Sequence, residues 1–285
     1  MKLVIITGLS GSGKSTALHT LEDMGYYCID NLPVFLLSSL ATGLAGKESE
    51  RFQRVAIGID ARTPLTELES IHSLLKPLRE QDIDYEVIFL AAHDETLIKR
   101  FSETRRKHPL SKEGRPLAEA IEQERQLIAP FLNAADLCID TSHTNLHELR
   151  SIIRTRIADH QPGSTSLLFQ SFGYKHGVPR DADFVYDVRC LANPYWQQSL
   201  RPLTGKDAAV INFLAKDERV IQLQQDISEF LERWIPQFEA DDRSYLTIAI
   251  GCTGGQHRSV FLVEQLAQHF RQQGRESQIR HRELS

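Results

Sequence analysis

The sequence predicts a two-domain α/β protein, and three observations lead to this prediction. Through the first half of the chain, short apolar runs alternate with segments of helical spacing, which is typical of a parallel sheet covered by helices. The order strand, glycine-rich loop and helix occurs twice, at 3–21 and at 246–270. A polar segment with Pro and Gly separates the two halves, so we expect one domain at 1–160 and a second α/β domain at 164–285.

Each predicted strand is an apolar run bounded by turn or polar residues, and each predicted helix repeats Leu, Ile or Ala every three or four positions. In the first half the predicted strands are 3–6, 25–30, 54–60, 85–92 and 135–140. The predicted helices there are one that follows Thr16 and those at 34–44, 65–78, 96–106, 117–132 and 146–157. In the second half we predict strands at 166–171, 184–190 and 246–250, and helices at 210–238 and 260–270.

Composition excludes several classes of protein. The 285 residues are 41% hydrophobic and 25% charged, as in ordinary globular proteins, and the net charge of −5 argues against general electrostatic binding of nucleic acid. The four cysteines are far apart, which argues against a zinc site or a disulfide framework and favours a reducing compartment. No apolar run approaches membrane-spanning length and the N-terminus resembles a strand, so we expect a cytoplasmic protein.

The first glycine loop matches the P-loop pattern Gly-x4-Gly-Lys-Ser, and it predicts a P-loop kinase-like parallel sheet that binds nucleotide. Its N–H groups form a nest for anions at the positive end of the next helix. Lys14 would reach the phosphates and Ser15 would hold Mg²⁺, and neither is certain to be catalytic. The predicted nucleotide-binding residues are Gly8, Leu9, Ser10, Gly11, Ser12, Gly13, Lys14 and Ser15.

Other charged residues are expected near this loop, because ligands bind at the carboxyl ends of parallel strands. Asp60, Asp94 and Asp140 each follow or end a predicted strand, and the first two are candidates to support Mg²⁺, with helix capping as the alternative. The basic cluster 105–107 could close over phosphates, or it could be a solvated helix end.

The second glycine loop lies between the strand that ends near Ile250 and the helix that starts near Val260. It predicts a second anion site, in which Arg258 would contact a phosphate through two N–H groups. The spacing Cys252-x5-Arg258-Ser259 also matches the cysteine phosphatase pattern, in which a thiolate attacks a phosphate. Phosphate binding without chemistry, phosphatase chemistry and a structural turn all remain open.

The end of the sequence is basic. Four arginines could form a basic face on a terminal helix and tail that contacts nucleic-acid phosphates, or they could be a solvated helix face. They are Arg271, Arg275, Arg280 and Arg282.

The chain also resembles the RapZ family of P-loop proteins (YvcJ-like proteins, RNase adapter proteins) over nearly its whole length. The resemblance is carried by GLSGSGKST, EDMGYYCIDNLP, ETRRKHPL, SFGYKHGVP, DADFVYDVR, NPYW, RPLTGKD and IGCTGGQHRSV, in that order. It implies an N-terminal domain that binds ATP and GTP and hydrolyses them slowly, with Lys14 and Ser15 as the candidates for this weak hydrolysis. The guanine-nucleotide motif of the family falls on Asp60, Ala61, Arg62 and Thr63.

The resemblance implies more about the second domain. It would bind glucosamine-6-phosphate and small regulatory RNA, and the protein, a tetramer, would present that RNA to an endoribonuclease to control amino-sugar synthesis. The predicted sugar-phosphate residues are Tyr195, Ser244, Cys252, Thr253, Gly254, Gly255, Gln256, His257, Arg258 and Ser259. The alternatives are a small-molecule P-loop kinase, a phosphatase acting through Cys252, and a metabolite sensor that acts on a protein partner without RNA.

Overall fold

The computed structural model describes residues 1–45, 52–59, 71–81, 83–111, 115–158, 165–241 and 243–284. The chain divides into two compact units, 1–160 and 161–285, each with its own hydrophobic core and its own parallel sheet. The predicted two-domain α/β architecture is therefore confirmed. Within the described parts of the chain, none of the helices is long and apolar enough to cross a membrane.

The first unit is a parallel sheet with described strands in the order β2-β3-β1-β4-β5. The strands are β1 (Lys2–Gly8), β2 (Tyr27–Ile29), β3 (Arg54–Gly58), β4 (Asp84–Ala91) and β5 (Leu137–Asp140). The helices are α1 (Lys14–Asp23), α2 (Leu37–Ala45), α3 (Ile71–Glu80), α4 (Asp94–Thr104), α5 (Leu117–Asn133) and α6 (Leu146–Ile153). The central strand β1 is an apolar run buried on both faces, as helices on both sides of a sheet require.

Two local features differ from the sequence-based expectations in this unit. A single 3₁₀ turn, Val34–Leu36, precedes α2, and the end of α6 continues as a π-helical turn, Arg154–Ala158. The start of α6 is fixed by Asn145, whose side chain accepts from the Glu148 N–H while the Glu148 side chain accepts from the Asn145 N–H. This reciprocal cap explains why the helix begins where it does.

The second unit is also parallel, with described strands in the order β7-β8-β6-β9. The strands are β6 (Ser166–Gly173), β7 (Phe184–Asp187), β8 (Tyr245–Cys252) and β9 (Ser277–His281), and the helices are α7 (Ala208–Leu214), α8 (Glu218–Ala240) and α9 (Arg258–Gln272). The inner strands β6 and β8 are buried along their whole length. Their carboxyl ends therefore meet at one edge, where the second glycine loop begins.

Two predictions for the second unit are wrong. The single helix expected at 210–238 is two helices, because the Asp217 side chain accepts from the Arg219 N–H and starts α8 afresh. The expected terminal helix and tail is instead α9 followed by β9. Gly274, with φ +80, reverses the chain after α9 and returns it to the edge of the sheet.

Candidate functional site

The P-loop has the backbone that its glycines permit. Gly8, Gly11 and Gly13 have φ values of +131, +85 and +108, in the region that side chains disfavour. A methyl group on Gly8 would also lie 2.8 Å from the carbonyl carbon of Leu90, in the adjacent strand β4. The glycines of the motif are thus required by angle and by space, and they bring the loop onto the carboxyl edge of the sheet.

The loop presents donors to a ligand. The amide N–H groups of Gly11, Gly13 and Ser15 have no acceptor among the described residues, and they precede or begin α1. The Ser15 side chain is exposed and likewise has no partner in the part of the chain that the structure describes. The Lys14 ammonium donates to the carbonyl oxygen of Gly8 at 2.8 Å. These groups fit a polyphosphate, and Ser15 fits the Mg²⁺ that accompanies it.

Three residues of the motif have a different task. The Leu9 N–H donates to Leu90, the Ser12 N–H donates to the Leu9 carbonyl, and the Ser10 N–H donates to the Glu124 carboxylate. These N–H groups are used within the protein, so they shape the loop. A phosphate would be bound by the other N–H groups of the motif.

A buried carboxylate beneath the P-loop escaped the sequence analysis. Glu124 in α5 accepts from the Ser10 N–H (2.8 Å), the Ser10 hydroxyl (2.6 Å) and His108 Nε2 (3.0 Å). His108 Nδ1 accepts from the Leu110 N–H, so the ring proton is on Nε2 and points at the carboxylate. Burial alone raises the pKa of Glu124, but the bonds from His108 and Ser10 and the charge of Lys14 bring that pKa below its usual value.

The sequence does contain a signal that could have identified Glu124. Glu124 lies on the same face of α5 as Ala120, Ile121 and Ile128, all of which are buried. A carboxylate on an apolar helix stripe must be hydrogen-bonded or paired, so it marks a polar contact inside the fold. Its partner Ser10 is 114 positions away in the sequence, and no local pattern could identify it.

The structure places the predicted acidic residues as follows. The motif 60–63, with Asp60, lies outside the described residues. Asp94 is in the first turn of α4 and forms an ion pair with Arg125. Asp140 accepts from the Ser142 N–H at 2.9 Å and is 3.7 Å from His93 Nε2. No group of three or more His, Cys, Asp or Glu within the described residues is arranged to hold a metal ion.

The second glycine loop connects β8 to α9. Cys252, the last residue of β8, is buried, and its sulfur accepts from the Gly255 N–H at 3.2 Å and lies 3.1 Å from the Ser259 hydroxyl. Gly255 has φ +73, and a methyl group there would lie 2.7 Å from the Gly173 nitrogen. The conformation of the loop is therefore held by the contacts of the Cys252 sulfur and by close packing against the backbone of Gly173.

This loop also presents unpaired donors. Among the described residues, the N–H groups of Gly254, Gln256 and His257 have no acceptor, and they lie directly before α9. The Arg258 side chain is 96% buried: Nη1 donates to the carbonyls of Arg189 (2.9 Å) and Leu191 (3.0 Å). Its Nη2 lies 3.4 Å from the Thr253 hydroxyl, while Nε is buried without a partner. Unpaired amides at a helix N-terminus beside a buried guanidinium are donors of the kind that bind anions.

A cluster on β7 lies next to this loop. Asp187 is paired in the sheet with Gly251 and forms a bidentate ion pair with Arg189, which stacks on the Tyr174 ring at 4.0 Å. The hydrogen bonds from Arg189 lower the pKa of Asp187, so this carboxyl is ionised near neutral pH. It is poorly suited to donate a proton to a leaving group, as phosphatase chemistry at Cys252 would require.

The structure brings together most, but not all, of the predicted sugar-phosphate residues. The segment that carries Tyr195 is joined to the glycine loop at two points: His257 Nε2 contacts Leu200 O at 3.2 Å, and the Gly205 N–H donates to Gln256 O at 2.8 Å. Ser244 precedes β8, whereas the loop follows it, so the two lie at opposite ends of an eight-residue strand, about 26 Å apart. Within one chain, therefore, Ser244 does not neighbour the loop, and the prediction that it does is wrong.

The four arginines near the end of the chain lie on different segments of the fold. Arg271 donates to the Ser277 carbonyl and Arg275 pairs with Glu239, both before β9. Arg280 lies on β9, 3.4 Å from the Gln170 side chain, and Arg282, just after β9, pairs with a neighbouring carboxylate. They are therefore not arranged along one terminal helix and tail as expected, and RNA binding by these residues stays a prediction.

Comparison with known proteins covers the whole chain. Residues 1–161 match the model of the RapZ-like N-terminal domain, and residues 165–285 match the model of the RapZ C-terminal domain. A protein of Nitrosococcus oceani called "Nucleotide-binding protein" is 56% identical over 285 residues, covering 100% of both chains. A nucleotide-binding protein of Methylococcus capsulatus is 53% identical over 100% of this chain and 96% of its own.

Among solved structures the similarity is weak. Shikimate kinase from Bacteroides thetaiotaomicron covers 53% of this chain and 96% of its own, with 15% identity and a TM-score of 0.37. The family models and the full-length relatives are much stronger similarities. Together they show that this chain belongs to the RapZ family.

Proposed function

We propose that this protein binds a nucleoside triphosphate at the P-loop and a sugar phosphate at the second glycine loop, and that it acts as a regulatory adapter. The single observation that carries the proposal is the second loop: the unpaired amides of Gly254, Gln256 and His257 lie at the N-terminus of α9, beside the buried guanidinium of Arg258. Such donors suit a phosphate monoester, whose oxygens accept several charge-assisted hydrogen bonds.

The nucleotide part rests on the P-loop and on relatives that are called nucleotide-binding proteins. Lys14, the N–H groups of the loop and Ser15 would bind the phosphates and Mg²⁺ of ATP or GTP. The bound Mg²⁺ would neutralise phosphate charge, and Lys14 would leave the Gly8 carbonyl to reach the β- and γ-phosphates. Slow hydrolysis of the bound nucleotide is expected from the RapZ resemblance.

The sugar phosphate we propose is glucosamine-6-phosphate, and the output is the delivery of a small regulatory RNA to an endoribonuclease by a tetramer. These specific points come from the RapZ resemblance. They agree with an anion site that has room outside it, since a side chain at Gly254 would meet nothing within 4 Å. Because Asp187 is ionised and Arg258 is held by two carbonyls, we favour binding without phosphoryl transfer at this loop.

Calorimetric titration of the full chain tests the ligand proposal. We expect glucosamine-6-phosphate to bind more tightly than inorganic phosphate and glucosamine to give no measurable heat. Arg258→Gln should abolish sugar-phosphate binding and leave ATP binding unchanged, while the exposed helix residue Arg233→Gln serves as the matched control. Equal binding of inorganic phosphate and the sugar phosphate would contradict a metabolite site.

RNA and acceptor assays separate the possible outputs. A gel-shift salt series with and without glucosamine-6-phosphate should show salt-sensitive RNA binding that the sugar phosphate changes. Sugar-phosphate binding without RNA binding would favour a sensor that acts on a protein partner. Rapid ADP release with a sugar, nucleoside or acid acceptor would instead establish a small-molecule kinase.

A further inference from the structure

The buried carboxylate of Glu124 connects two parts of the first unit that the sequence separates. On one side it accepts two hydrogen bonds from Ser10, at the tip of the P-loop. On the other it accepts one from His108, in the segment that follows α4. All three side chains are buried or nearly so, so solvent cannot replace a lost partner.

The segment between α4 and His108 is held against the P-loop at both ends. At its start, Arg100 Nη1 donates to the Gly11 carbonyl at 3.0 Å, and the Phe101 ring lies 3.3 Å from where a methyl group on Gly11 would be. At its end, His108 is bonded to Glu124 beneath Ser10. Between these points, Arg105 has φ +51, and this left-handed conformation ends α4.

This double attachment keeps three exposed cations close to the loop. Arg105, Arg106 and Lys107 lie within three residues of His108, so none of their Cα atoms is more than roughly 11 Å from it. Long arginine and lysine side chains cover much of that distance. The segment that carries the three cations is therefore attached to the P-loop region on both sides.

We infer that Glu124 is a positioning residue of the nucleotide site: by joining Ser10 to His108, it holds the cations of 105–107 beside the phosphates of a bound nucleotide. This inference rests on the proposed binding of nucleotide at the P-loop. A carboxylate suits the task because its two oxygens accept from three donors at once, whereas an amide has only one acceptor oxygen. The positive charge of Lys14 compensates for its burial.

The test follows tryptic cleavage of the full chain after Arg105, Arg106 and Lys107, with and without saturating Mg·ATP, and calorimetry measures ATP binding to each variant. In the unaltered protein, ATP should slow cleavage at these bonds about tenfold. His108→Leu removes the donor to Glu124, so it should abolish this protection and weaken ATP binding about tenfold. In His108→Gln, the side-chain amide nitrogen can donate in place of Nε2, so this variant should recover protection to within about threefold.

His147→Leu is the matched control, because His147 is an exposed histidine of the same unit and should behave like the unaltered chain. A purely structural role for His108 would lower the melting temperature without changing the ratio of cleavage rates with and without ATP. If His108→Leu does not fold, Ser10→Ala removes a second donor to the same carboxylate and should reduce protection in the same direction.

Full protection in a folded His108→Leu or Ser10→Ala variant that still binds ATP would overturn the inference alone. No ATP binding by the unaltered chain would overturn the proposed nucleotide function and the inference with it. Loss of protection in His108→Leu with recovery in His108→Gln would support the assignment of Glu124.

Discussion

Gly205→Ala probes the second glycine loop without removing any side chain that would bind a ligand. Gly205 donates its N–H to the Gln256 carbonyl, and a methyl group added to it would lie 2.5 Å from the Phe261 nitrogen and 2.8 Å from the Val260 Cβ. Ordinary contact begins at 3.4 Å and the His257 carbonyl oxygen would be nearer still, so the first turn of α9 would have to retreat by at least about 0.9 Å. The obstacle is backbone, which cannot move aside as a flexible side chain can.

The expected cost has two parts. Overpacking of this kind destabilises by about 1–3 kcal/mol. Weakening two or three hydrogen bonds to a phosphate costs roughly 1.5–3 kcal/mol, which corresponds to a loss of about 10- to 100-fold in affinity. Calorimetric titration with glucosamine-6-phosphate measures the second part, and thermal unfolding measures the first.

The control is Gly43→Ala, on helix α2 of the other unit, where an added methyl group meets nothing within 4 Å. It should leave sugar-phosphate affinity unchanged. A folded Gly205→Ala variant that binds glucosamine-6-phosphate within twofold of the unaltered protein would refute the reasoning, since it would show that the geometry at the start of α9 does not set the affinity.

Three further predictions follow from the geometry. Gly8→Ala combines φ +131 with a methyl group 2.8 Å from Leu90, so ATP affinity should fall more than about tenfold and stability by about 2 kcal/mol; unchanged ATP binding by calorimetry would contradict this. Arg258→Lys keeps the charge but loses the planar guanidinium that donates to two carbonyls, so sugar-phosphate affinity should fall about 10- to 100-fold. A dissociation constant within twofold of that of the unaltered protein would count against the site. Burial lowers the pKa of His281, so its contribution to stability is present above about pH 6.5 and is lost as the pH falls through the folded-state pKa. Melting temperatures at pH 7.5 and 5.5 should show this decline, and the decline should be smaller in His281→Gln. An equal decline in both proteins would contradict the prediction.

The sequence predicted best where function and backbone are encoded locally. The spacing from Gly8 to Ser15 predicts strand, loop and helix together, because only glycine tolerates the required φ values. The second loop was predicted in the same way from its glycines and Arg258. The parallel architecture followed from the alternation of apolar runs and helical segments.

The errors arose where structure depends on contacts between distant residues. Ser244 is eight positions from Cys252, but an intervening strand separates them by its whole length. The last four arginines were expected on one face of a terminal helix and tail. The turn at Gly274 and the pairing of β9 with β6 place them on separate segments instead, and both features depend on the completed sheet. Glu124 was overlooked because its partners, Ser10 and His108, become neighbours only in the fold.

The measurement that tests the central claim most directly is a two-ligand titration of the full chain, first with Mg·ATP and then with glucosamine-6-phosphate. The proposal of two distinct anion sites predicts one binding event for each ligand per chain. Lys14→Ala should remove only the ATP event, and Arg258→Gln should remove only the sugar-phosphate event. Loss of both events in either folded variant, or sugar-phosphate binding that survives in Arg258→Gln, would contradict the two-site account.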